Sequence, residues 1–100
     1  MATVRERMKV ALRVTSDKFD DEIAGVIKAA RMELIRAGVS AEKANSEDDE
    51  LIISAIRAYV LGTYSTDTKL IDGYMASFEL QKDALRKSSG YRNEATHDRV

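Results

Sequence analysis

Leu51-Ile52-Ile53-Ser54-Ala55-Ile56-Arg57-Ala58-Tyr59-Val60 is the stretch whose reading decides the fold. At about 100° per residue, Leu51, Ile52, Ala55, Ile56, Tyr59 and Val60 share one side of a helix and form the widest apolar stripe in the chain. Ser46, Asp48 and Asp49 stand just ahead of it, and such residues accept hydrogen bonds from the free amides of a helix start. The stretch is therefore the expected core helix, and its neighbours follow the same period in both directions.

Downstream, Gly62-Thr63-Tyr64 and the polar run over residues 65–68 interrupt the pattern. Leu70, Ile71, Tyr74, Met75, Phe78 and Leu85 then carry a further helix that stops near Ser88-Ser89-Gly90. Upstream, residues 39–45 read as a loop. Gly38 closes a helix that Asp20, Asp21 and Glu22 open and that Ile23, Val26, Ile27, Ala30 and Leu34 face inward. Thr15-Ser16-Asp17 separates it from a first helix over residues 3–13, in which Thr3 and Glu6 match a capping box and Val4, Met8, Ala11 and Leu12 form the stripe. With no proline and five glycines, little breaks these helices. The expectation is an all-α domain, a small bundle of about four helices over residues 1–90, followed by a flexible carboxyl-terminal tail over 91–100 with no apolar period.

One hundred residues suffice for one modest core but not for a second domain, so any larger role has to come from assembly. Hydrophobic residues at 44% and charged residues at 33% describe an ordinary folded chain, without an apolar run of membrane-spanning length. Residues 1–10 intersperse Arg5, Arg7 and Lys9 among apolar residues, unlike a secretory signal, so the chain is expected to stay in the cytosol where it is made. The absence of cysteine excludes a disulfide framework, a thiolate zinc site and a cysteine nucleophile. A net charge of −1 with mixed signs lacks the basic field that drives binding to a phosphate backbone. No cofactor and no enzymatic activity are expected: the acidic pairs read as helix caps, and a lone His97 near Asp98 cannot assemble converging ligands.

Four phrases, taken in order, resemble the head-tail connector (adaptor, head completion) family of tailed bacteriophages, whose members are also described as DNA packaging proteins. They are Ala11-Leu12-Arg13-Val14-Thr15, then Phe19-Asp20-Asp21-Glu22-Ile23, then Ala29-Ala30 through Gly38-Val39, and finally the core-helix stretch, followed by a tyrosine-bearing helix and the end phrase Leu85-Arg86-Lys87-Ser88-Ser89-Gly90-Tyr91. The resemblance covers about nine tenths of the chain and lies in order and spacing rather than in any chemical group. It implies a structural virion component at the head-tail junction, assembled in the host cytoplasm: a closed homo-oligomeric ring, dodecameric as is usual in the family. That ring would sit beneath the portal protein, extend the channel through which genomic DNA transiently passes, and link the filled capsid to a downstream head-completion or tail protein. The alternative is a small helical DNA-binding or packaging regulator resembling a small terminase, which would need a basic recognition helix.

On this reading Met32, Leu61 and Leu80, each roughly opposite its helix's main stripe, and Arg57 with Ile53 on the outward flank, are candidates for subunit contact. Isolated surface apolar residues and a solvated arginine are the bland explanation. Lys82, Arg86, Lys87 and Arg92, with Tyr91, are candidates for docking the portal or a neighbour; alternatively the basic residues complement a helix carbonyl end and Tyr91 closes that helix. Glu47, Asp48, Asp49 and Glu50 are candidates for lining the channel, or else stabilise a helix start.

Overall fold

The structure, a computed structural model, describes residues 2–93. It is all-α, with five helices: α1 (Val4–Leu12), α2 (Asp20–Ala37), α3 (Ala41–Ala44), α4 (Glu50–Tyr64) and α5 (Thr68–Lys87), and a 3₁₀ turn at Asp17–Phe19. The starts follow the expected caps. The Glu6 amide donates to Thr3 Oγ1 at 3.1 Å and the Thr3 amide to Glu6 Oε1 at 2.7 Å. Asp49 Oδ1 accepts from the amides of Leu51 and Ile52, and Asp67 Oδ1 does the same for Lys69 and Leu70. Gly38 ends α2 at φ 119°, where the Gly38 and Val39 amides return to the carbonyls of Ile35 and Leu34.

Two short elements escaped the sequence reading. The loop over residues 39–45 contains α3, a single turn that Ser40 caps by accepting from Lys43. The 3₁₀ turn leading into α2 is capped likewise by Ser16. Neither is long enough to show a period, so only the cap residue signals it.

The α4 stretch is the centre of the molecule. Ile52, Ala55, Ile56 and Val60 are fully buried, between α2 on one side and α5 on another, while α1 lies across the end near Ile53. Phe78 from α5 meets Tyr59 edge-on, ring centroids 5.0 Å apart at 64°. Gly62, read as a break, lies within α4 and is buried. A Cβ there would meet Met75 Cε and come within 3.2 Å of Tyr74 Cβ. The glycine thus lets α5 approach closely, and Gly62→Ala is expected to cost about 1–2 kcal/mol, measured by chemical denaturation.

Residues 91–93, counted with the tail in the sequence reading, fold back on the body. The Ser40 amide donates to the Tyr91 carbonyl at 2.8 Å and the Asn93 amide to the Gly38 carbonyl at 2.7 Å, an isolated antiparallel bridge between Val39 and Arg92.

Candidate interaction surface

The connection between α2 and α4 is held by a residue that sequence reasoning passed over. Arg31 is 8% exposed, and its Nη1 donates to the carbonyls of Ala44 at 2.7 Å and Ser46 at 2.8 Å. Its Nη2 donates to Glu47 Oε2 at 2.7 Å. Burial lowers the guanidinium pKa and the Glu47 charge opposes that shift; arginine nonetheless remains protonated. No clear sequence signal separates Arg31 from a solvated arginine, because it lies about 80° from the centre of the apolar stripe of α2, at its edge, and its partners come from a loop.

Each acidic residue at 47–50 has an intramolecular bond. Besides Arg31, Glu47 accepts from the Val4 amide at 2.9 Å. Asp48 accepts from the Ser46 hydroxyl. Asp49 caps α4 and also accepts from the Tyr91 hydroxyl at 3.0 Å, and Glu50 pairs with Arg7 through two bonds of 2.9 and 3.0 Å. Of the four, Asp49 bonds the start of α4, and the others are held by Arg31 and Val4, by Ser46 and by Arg7. Tyr91 contacts Asp49 of its own chain and packs against the core.

The basic cluster is similarly occupied. Lys82 pairs with Glu79 and lies 5.6 Å over the Phe78 ring, while Arg86 and Lys87 both bond Asp83. The Arg92 amide donates to the Ser88 carbonyl. These i,i+3 and i,i+4 pairs offset the positive charge that a recognition helix would present. Lys87 and Arg86 hold the Asp83 carboxyl below its usual range, Arg7 does so for Glu50, and the Thr3 amide for Glu6. A carboxyl whose folded pKa is depressed contributes stability that is complete above its unfolded pKa and lost as pH falls through the folded one. Thermal melts are therefore expected to hold steady from pH 7 to about 5 and decline below about 4.

The contact candidates separate. Leu80 is 73% exposed and Met32 55%, so both present apolar surface to solvent; Arg57 is also exposed and Leu61 is half-buried. Ile53 is corrected: at 3% exposure it belongs to the core, because α1 crosses the flank that the α4 pattern alone leaves open. Leu51 and Leu70 move the other way. Both were assigned to inward stripes, and both stand more than half exposed, at 57% and 53%. Val10 on α1, at 78%, is a further exposed apolar residue that its first-helix stripe did not include. Leu51, Gln81, Ala84, Leu85, Ser88 and Tyr91 line an open cavity of about 240 Å³.

The body is a small helical one with about half of its charged groups paired on its own surface and several large apolar side chains facing outward. The particular family follows from comparison: a family model described as phage connector protein matches residues 5–79, and the chain belongs to that family. No curated protein and no solved structure matches it. The family is structural rather than enzymatic and consists of phage components that associate with other head and tail proteins. Among the described residues no helix is long and apolar enough to cross a membrane. His97 and the rest of the expected tail beyond Asn93 lie outside the described residues.

Proposed function

We propose that this chain builds a closed ring at the head-tail junction, beneath the portal, where it extends the DNA channel and presents a surface to the next head-completion or tail protein. The family match over residues 5–79 carries the reading. The exposed Met32, Leu51, Leu70 and Leu80 support it, since a solitary chain gains nothing from leaving them in water. A ring needs only two unlike patches on each copy, and closure leaves neither patch open.

The test is imaging of DNA-filled heads that lack this protein, with and without the purified chain. Added density ringing the axis beneath the portal supports the reading, and heads that remain bare reject it.

A further inference from the structure

The connection between α2 and α4 is fastened twice, by Arg31 and, from the other end of the chain, by residues 88–93. After α5 the chain turns on Ser88, whose carbonyl accepts from the amides of Tyr91 and Arg92 at 3.0 and 2.9 Å. It then runs antiparallel to residues 38–40 as a bridge of a single residue pair, Val39 with Arg92, held by the Ser40 and Asn93 amides. The bridge cannot lengthen, because α2 ends at Ala37 on one side of it and α3 begins at Ala41 on the other. Tyr91 adds two side-chain contacts. Its hydroxyl donates to Asp49, the residue that caps α4, and Lys43 Nζ of α3 lies 5.4 Å over its ring.

These fastenings are mostly polar, which separates the segment energetically from the body. None of residues 88–93 is buried; Tyr91 alone of them packs against the core, and only in part. The helices, by contrast, meet through side chains that are fully buried, among them Leu34, Ile52, Ile56 and Val60. Tyr91 also packs incompletely, since it shares the wall of the 240 Å³ cavity with Leu51, Gln81, Ala84 and Leu85. At the turn itself, a Cβ on Gly90 would meet no atom within 4 Å, so nothing pins it from the side. A unit that buries so little apolar surface opens at lower cost than the core beneath it. The segment also lies beyond residues 5–79, where the family match ends.

We propose that residues 88–93 are a latch that opens as a unit while the helices stay folded, and that its release loosens the α2–α4 connection and widens the cavity between α4 and α5. Opening takes the Tyr91 hydroxyl from Asp49, and it unpairs the Ser40 amide at the cap of α3 and the Gly38 carbonyl at the end of α2. It also removes Tyr91 from the wall that it shares with Leu51, Ala84 and Leu85. Because Asn93 is itself bonded to Gly38, whatever engages the chain beyond it acts on the latch first and, through Asp49, on the start of α4. The latch does not depend on the ring reading.

Amide hydrogen exchange on the full chain, resolved by residue with NMR and corrected for intrinsic rates, tests this. In the parent chain the Ser40 and Asn93 amides are expected to exchange at similar rates, about a hundredfold or more faster than the Val60 amide in α4. Tyr91→Phe keeps the ring and removes the hydroxyl. It is expected to speed both amides about tenfold and the Ile52 amide at the Asp49 cap by a smaller factor, with Val60 unchanged. Ser40 and Asn93 amides as slow as Val60 would mean that the segment opens only with the whole fold, which overturns the proposal. So would parent-like rates at Ser40 and Asn93 in Tyr91→Phe, or an equal acceleration at Val60. An Ile52 amide untouched by the substitution would overturn the coupling to α4.

Discussion

Replacing Arg31 by methionine is expected to lower the stability of the fold by about 3 kcal/mol, which for a domain of this size corresponds to a melting temperature lower by roughly 12–24 °C. The substitution keeps an apolar stem of similar length but deletes three hydrogen bonds at once. It leaves the Ala44 carbonyl without this donor next to a fully buried side chain, and it frees the turn that carries the α4 cap. Little of the cost comes from the ion pair itself, because the Glu47 side chain is 59% exposed and well screened. Glu47→Gln is accordingly expected to cost less than about 1 kcal/mol, and Arg31→Lys most of the methionine loss, since one ammonium cannot reach three acceptors in the same geometry. Equal melting temperatures for Arg31→Met and the parent chain would show that the connection between α2 and α4 is held by something else.

Leu80→Asp is expected to leave the monomer folded and to prevent ring formation. At 73% exposure Leu80 contributes little to its own core, so the fold should change by no more than about 0.5 kcal/mol. In a subunit contact the same substitution buries a carboxylate without a partner. A cost of about 3 kcal/mol per contact would weaken each one more than a hundredfold, and a ring repeats that loss at every junction. Leu61→Asp should act in the same direction but with some loss of stability, because Leu61 is half-buried at the end of α4. Native mass measurement reads both effects. Unimpaired assembly of Leu80→Asp would take Leu80 off the contact surface.

Local signals were legible where one helix decides its own outcome. The Thr3 and Glu6 box, the Gly38 end, the Asp49 start and the buried Ile52, Ala55, Ile56 and Val60 all depend on residues a few positions apart, which periodicity and capping chemistry capture. What depends on a second element was not. Ile53 lies on the open side of the α4 pattern and is covered by α1; Leu51 and Leu70 lie near their stripes but beyond the area where the α4 and α5 surfaces meet. Gly62 combines both problems, since a glycine near a helix end reads as a stop and only the nearness of Met75 and Tyr74 explains it as a contact point. The acidic run at 47–50 and the basic residues at 82–92 suggested functional surfaces by charge alone. Their partners, Arg31, Arg7, the Val4 amide, Glu79 and Asp83, absorb much of that charge inside the subunit. Of the outward apolar residues, Met32 and Leu80 were recognisable in the sequence as residues off their stripes, whereas Leu61, read the same way, is half-buried.

The most direct test of assembly as this protein's role is native mass spectrometry of the purified chain, alone and after addition of the portal ring it serves. A single closed multiple of the 11.1 kDa subunit, by itself or on the portal, is the predicted result. One copy at a time under both conditions would contradict it.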